Sequence, residues 1–205
     1  MNEVQRTVAE SAPGFMPAHE GLALYNWACE VGPAGPILEI GTYCGKSTIY
    51  LAAAAQAHGR QVVTIDHHRG SEEHQPGWEY HDPTLVDDQV GLLDTVPTLR
   101  RVLHAAGVED SVIAIIGSSL AVGSVWSTPV AMVFIDGGHT EQTALDDYRT
   151  WARHVQPGGL LAIHDVFPDP RDGGQAPWHI FERARRSGDF VEHGQVGSLR
   201  ALRRR

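Results

Sequence analysis

Lysine is almost missing from this chain. Lys46 is the single one among 16 basic side chains, set against 25 acids, for a formal net charge of −9. That balance excludes the basic footprint a nucleic-acid backbone requires. The two arginine groupings, Arg183/Arg185/Arg186 and Arg203–Arg205, read as solvated surface. Cysteine is scarce as well: Cys29 and Cys44 are too few for a disulfide framework or a zinc knuckle. A reducing, cytoplasmic setting is the expectation. No apolar run approaches the roughly 18 residues of a membrane span, and Met1 to Phe15 lacks the apolar core of a secretory leader. What the chain does have is 42% hydrophobic residues over 205 positions, enough for one compact domain, and 12 histidines.

Along the chain, residues 1–16 read as a loose arm, and 17–205 as the domain. Leu22, Leu24, Trp27 and Ala28 predict a short amphipathic helix, closed by Gly32-Pro33-Ala34-Gly35-Pro36. Five apolar, β-rich runs follow: Ile37–Ile40, Gln61–Asp66, Val112–Ile116, Ala131–Ile135 and Leu160–Ile163. Helical stretches separate several of them, from Lys46 to about His58 and again through Ala144, Tyr148, Trp151 and Val155. Strands alternating with helices predict an α/β fold, a parallel sheet covered on both faces. Beyond a helix at Trp178–Arg186, Phe190-Val191 and Ser198–Leu202 flank Gly194 and Gly197, which predicts a terminal antiparallel hairpin at the sheet edge.

Ligands of open parallel sheets bind outside the carboxyl ends of the strands, so the residues just after each strand carry the chemistry. The first strand runs into Gly41-Thr42-Tyr43-Cys44-Gly45-Lys46-Ser47, whose glycines permit a tight turn and close approach of a ligand to the backbone. The lysine spacing is not that of a P-loop, and Tyr43 replaces the central glycine of a dinucleotide fingerprint. The second strand ends in Asp66, placed to accept hydrogen bonds from ribose hydroxyls. Together these point to a nucleoside-containing cofactor without a pyrophosphate. A nicotinamide-dependent oxidoreductase on a Rossmann sheet is the alternative from a second class, and a non-catalytic nucleoside-binding protein a third.

Three segments are more specific. Leu38–Ser47, Ala131–His139 and Pro157-Gly158-Gly159 through His164-Asp165-Val166 occur in the order and spacing of class I S-adenosylmethionine-dependent methyltransferases. The chain resembles this family from about residue 36 onward, and is most similar to its small catechol-type O-methyltransferases. The resemblance implies a single Rossmann-like, doubly wound, seven-stranded sheet, mostly parallel with an antiparallel last strand. It also implies a cofactor, S-adenosyl-L-methionine. Glu39 and the Gly41, Thr42, Tyr43, Gly45 and Ser47 loop would hold its methionine end. Asp66 with His67 would take the ribose, and Gly117 and Ser118 would lie beside the adenine, with Asp136 nearby.

In the metal-dependent branch of the family, acids after the fourth and fifth strands bind Mg²⁺. The matching positions here are Asp136, His164 and Asp165, where His164 departs from the usual acid. The catechol-type enzymes place a lysine base three residues after the first metal acid, and His139 stands there. With Lys46 in the cofactor loop no second lysine remains, so His139 is the expected general base, acting beside Asp136. A metal-free site with a histidine base is the competing reading. The polar segment Arg69–Asp88 reads as a lid over the acceptor, with His68, Trp78 and Tyr80 as substrate contacts, and Arg171 of the Phe167–Gly174 loop as a fourth. The expected acceptor is a small hydroxyl compound, a carbohydrate ahead of a catechol or other natural product. Within the family the chain is similar to sugar 1-O-methyltransferases of polysaccharide biosynthesis. Neither nucleic acid nor membrane is an expected partner. A homodimer through the arm is.

Overall fold

The computed structural model describes residues 1–205. Seven strands form one sheet: β1 (Ile37–Ile40), β2 (Val62–Asp66), β5 (Val112–Ile116), β6 (Val130–Ile135), β7 (Val155–Ile163), β8 (Phe190–Val196) and β9 (Leu199–Arg204). Their order is β5-β2-β1-β6-β7-β9-β8, and a two-stranded ribbon of β3 (Val86–Asp87) and β4 (Leu92–Leu93) stands apart. β9 runs antiparallel to both β7 and β8, while the remaining pairs are parallel. The last strand therefore inserts beside β7, and β8 forms the edge. The chain runs outward from β1 to β2 and β5, then returns to the other side of β1 as β6. That reversal opens a crevice at the carboxyl ends of β1 and β6.

Side-chain alternation sorts the strands onto two cores. Ile37, Met132, Phe134, Leu160, Ala162, Leu199 and Ala201 face the layer of α2 (Ala18–Glu30), α3 (Lys46–Ala57) and α4 (Val96–Ala105). Leu38, Ile40, Val133, Ile135, Leu161, Ile163 and Leu202 face α6 (Glu141–Trp151) and α7 (Ala176–Arg186). The short α5 (Ser119–Gly123) sits beside α6. The alanine run Ala52–Ala55 on α3 is buried between sheet and neighbouring helices, where a larger side chain would hold the backbones apart. β5 departs from the expected buried strand: at the sheet edge, it leaves Ile113 and Ile116 in solvent. Asp147, which reads from sequence as surface, is buried, accepts a hydrogen bond from Ser119, and is pushed up to about 6 by that burial.

Residues 1–16 are not the loose arm expected. They contain helix α1 (Glu3–Ser11), closed at its start by a capping box. The Asn2 side chain accepts from the Gln5 amide at 2.8 Å, and Gln5 Oε1 accepts from the Asn2 amide at 2.9 Å. Its inward side carries small residues, Ala9 and Ala12, which join the same core as α3, followed by buried Met16. The Lys46 ammonium then donates to the carbonyls of Glu10 (3.3 Å) and Ala12 (2.9 Å), closing the helix end from outside. The homodimer expectation rested on a free arm. With α1 packed on its own chain, that basis is gone.

Lys46→Ala removes a charge-assisted clasp without touching the sheet. The amides of Glu3–Ser11 should then exchange with deuterium about tenfold faster, with β6 and β7 unchanged. Equal exchange in the two proteins would show that the clasp holds nothing.

Candidate active site

Loops from five strand ends meet at the crevice. The tightest contact is between the ends of β1 and β6. Gly41 has φ +93°, and a Cβ built on it would lie 2.0 Å from the Asp136 carbonyl oxygen, so no side chain fits there. Three non-glycine residues also adopt left-handed backbone: Tyr43 (φ 47°), His68 (φ 59°) and Asp165 (φ 53°). All three lie in these strand-end loops, where surrounding contacts have to hold such conformations. Asp66 supplies several of those contacts. One carboxylate oxygen accepts from the Thr42 and Tyr43 amides (3.0 and 2.8 Å), and the other from the His68 amide at 2.7 Å.

Above this floor lies a cavity of about 500 Å³, within the range of small-molecule sites. Gly41, Tyr43, Asp66, His67, Gly117, Ser118, Asp136 and His139 all line it, as does Trp78 from the long loop. A smaller chamber of about 90 Å³ adjoins it, bounded by Phe15, Met16, Thr42, Ser47, His164 and Asp165. Tyr43, Glu73, His74, Asp136 and His139 border both spaces. Glu39 does not line either one. It is fully buried beneath the loop, where its carboxylate accepts hydroxyl hydrogen bonds from Ser47, Thr48 and Thr64, each at 2.6 Å. Burial pushes it up to about 7 against these donors. It shapes the loop after β1 from below and lines neither space.

His139 sits between two carboxylates. Its Nδ1 is 3.2 Å from Glu73 Oε1, and its Nε2 is 3.4 Å from Asp165 Oδ2. His164 lies deeper. Its Nε2 is 2.6 Å from Glu20 Oε2, and its Nδ1 is 3.1 Å from Asp136 Oδ1. Burial opposes charge on this imidazole, but Asp136, Asp165 and Glu20 outweigh it and push the ring up to about 12. Glu20 and Asp165 are correspondingly held below their ordinary ranges, against their own burial.

This arrangement revises the expected metal site. With both ring nitrogens committed to carboxylates, His164 has no lone pair to offer an ion. Asp136, His139 and Asp165 do come together, with ligand atoms within 4.8 Å of one another. Two carboxylates suit Mg²⁺, which keeps several waters and needs few protein ligands. A third ligand from His139 would suit a softer divalent ion.

Among the expected substrate contacts, Trp78 borders the larger cavity and Tyr80 faces Phe15 across 4.9 Å. His68 and Arg171 do not belong with them. His68 is buried, with Nδ1 on Thr95 Oγ1 at 2.6 Å, and lines neither space. Arg171 is exposed and paired with Asp169. The Arg69–Asp88 segment is ordered by 3₁₀ turns at Glu72–His74 and Pro83–Leu85. Leu85 and Leu93 pack against Cys44, which fastens the segment to the cofactor loop. Sequence reasoning misses Phe15 and Glu20, which no local spacing marks; Glu73 falls within the segment read as a lid, without a role of its own.

Comparison with known proteins agrees with this geometry. Residues 38–166 match the family described as "Methyltransferase domain". Among solved structures, a Klebsiella pneumoniae protein superposes with a TM-score of 0.68 at 20% identity, covering 100% of this chain and 90% of its own. The O-methyltransferase TomG of Streptomyces achromogenes, involved in tomaymycin synthesis and solved with S-adenosylmethionine, gives 0.66 at 21% identity (100% and 91% covered). An O-methyltransferase from Bacillus cereus, solved with S-adenosylhomocysteine, gives 0.66 at 20% identity (100% and 92% covered). At such identities the likeness establishes a shared Rossmann-like methyltransferase fold.

The raised carboxyl of Glu39 has a measurable consequence. Between its ordinary 4.5 and about 7, the folded chain retains a proton that the unfolded chain has released. Stability from this group is therefore lost as pH rises through that window. Glu39→Gln should flatten the fall in urea midpoint between those pH values. An unchanged slope would remove Glu39 as its source.

Proposed function

The chain belongs to the methyltransferase-domain family, and on that premise we propose that it moves the methyl group of S-adenosylmethionine to a hydroxyl oxygen of a small polar acceptor. The observation that carries this reading is the pair of adjoining spaces, with His139 and Asp136 bordering both. The larger suits the cofactor: glycine backbone at Gly41, the Asp66 carboxylate with His67 for ribose, and Gly117 and Ser118 beside the adenine. S-adenosylmethionine supplies, when bound, an electrophilic sulfonium methyl. The nicotinamide alternative is set aside by the family assignment, in agreement with Tyr43 at the central position of the loop.

The protein's task is then to align the acceptor oxygen and take its proton. Glu73 Oε1, 3.2 Å from His139 Nδ1, would keep a proton on that nitrogen and leave the Nε2 lone pair to receive the acceptor's proton. Asp165, beside Nε2, stabilises the imidazolium that results. Mg²⁺ held by Asp136 and Asp165 would supply charge that lowers the proton affinity of the acceptor oxygen. His164, committed to Glu20 and Asp136, keeps the Asp136 carboxylate in place.

A carbohydrate is the leading acceptor, because the smaller chamber is walled by Glu73, Asp136, His139 and Asp165 and few aliphatic groups. A catechol or other aromatic natural product is the second reading, favoured by Phe15, Tyr43 and His74 on the wall of the smaller chamber, with Tyr80 against Phe15. A cytoplasmic setting belongs to the same reading, with Cys29 and Cys44 as free thiols.

Labelled S-adenosylmethionine should transfer its methyl to members of a pyranose and catechol panel. His139→Ala should lower kcat about 10²–10⁴-fold with S-adenosylhomocysteine affinity retained. Undiminished turnover in His139→Ala would remove it as the base. A chelator should abolish most activity and Mg²⁺ restore it; full activity in chelator would remove the metal from the scheme.

A further inference from the structure

We propose that His74 recognises the acceptor, its ring donating an Nε2–H hydrogen bond to a hydroxyl of a six-membered ring that lies against Phe15, Tyr43 and Tyr80. The inference rests on the methyl-transfer reading above and adds a residue to it that the family match does not assign.

The tautomer follows from local bonding. The Ser71 amide donates to His74 Nδ1 at 3.2 Å, and Ser71 Oγ lies 2.8 Å from the same atom. A ring nitrogen that accepts a backbone N–H carries no proton, so the proton of the neutral ring sits on Nε2. Burial disfavours the charged ring, which keeps it in this neutral form. His74 Nε2 is buried and has no hydrogen-bond partner. An unpaired buried donor is costly and calls for an explanation, of which a ligand is one.

Position supplies the rest. His74 borders both the larger cavity and the smaller chamber. Its ring centroid lies 5.1 Å from Tyr43 and 5.8 Å from Phe15, and Phe15 meets Tyr80 edge-on at 4.9 Å. Phe15 is 56% exposed and Tyr80 43% exposed, which leaves aromatic surface in water beside the chamber. Flat apolar faces with one polar group among them suit a ring that has its own apolar face and hydroxyl edge. A pyranose and a catechol share that chemistry. His139 and His74 would then divide the work: one removes a proton from the reacting oxygen, and the other holds a neighbouring hydroxyl.

The test uses the full chain, with D-glucose and 3,4-dihydroxybenzoate representing the two acceptor sources. His74→Phe keeps a ring in the aromatic cluster and deletes the donor. It should raise KM for the methylated acceptor about ten- to a hundredfold. In the same variant kcat should stay within a fewfold, and S-adenosylhomocysteine should bind by calorimetry within about twofold of wild type. His74→Gln, which retains a donor, should recover part of the loss. In wild type labelled with ¹⁵N-histidine and saturated with S-adenosylhomocysteine, that acceptor should shift the His74 Nε2–H signal. An unchanged KM in His74→Phe overturns the inference; should that variant fail to bind S-adenosylhomocysteine, an unmoved Nε2–H signal in wild type overturns it instead. If wild type binds S-adenosylhomocysteine but methylates no pyranose or catechol, the reading of methyl transfer to a hydroxyl itself falls, and this inference with it.

Discussion

A single buried imidazole holds the mouth of the sheet together. His164, at the end of β7, bonds through Nε2 to Glu20 on α2 and through Nδ1 to Asp136 at the end of β6. Glu20 in turn accepts from the Ser198 amide at 2.6 Å, in the turn between β8 and β9. Gly197 next to it passes so close that a Cβ there would collide with the same carboxylate. Four segments distant in sequence are thus joined through one proton-bearing ring. Removing one member of such a buried set leaves charge uncompensated, at a cost of about 3–5 kcal/mol.

That anchor explains why the site combines His139 with Asp136 and Asp165. With its imidazole bonded to Asp136 and Glu20, His164 is withdrawn from the crevice and lies in the wall behind it. Asp136 is fixed by one oxygen and presents the other, and Asp165 turns through a left-handed backbone to approach His139. The acids remain, yet the position the family resemblance gives to a third ligand acts here as a fixed internal cation. Negative charge at the crevice is partly balanced before any ligand arrives.

Much of this frame is legible in the sequence because parallel sheets obey strong rules. Short β-rich runs mark strands, and residues directly after them reach the crevice whatever else the chain does. Asp66 is legible on that basis; Gly117, Asp136 and His139 also stand at strand ends, but their expected roles come from the family resemblance. Glu20 and Phe15 are not legible, because a helix face and a helix exit bring them in through tertiary packing alone, and Glu73 is legible only as part of the segment read as a lid. Helix α1 escaped for a different reason. Its buried side consists of Gln5, Ala9 and Ala12, which bury little area and so give no apolar stripe to read. His68 and Arg171 illustrate the reverse error: proximity to a strand end does not say whether a side chain turns into the cavity, into the core or out to water.

The single lysine links helix α1 to the crevice. The one lysine ammonium in the chain is spent on the carbonyl end of α1, and that clasp holds the helix from which Pro13–Met16 run over the smaller chamber. Phe15 reaches the aromatic cluster because Lys46 holds the helix that precedes it. Lys46 is also the first residue of α3, directly after the Gly41–Gly45 loop. Displacement of that loop would thus be transmitted through one side chain to the roof of the neighbouring chamber. With the ammonium occupied in this way, the proposed proton chemistry at the crevice falls to imidazole, with His139 as the base, His164 as the internal cation and His74 as the N–H donor to an acceptor hydroxyl.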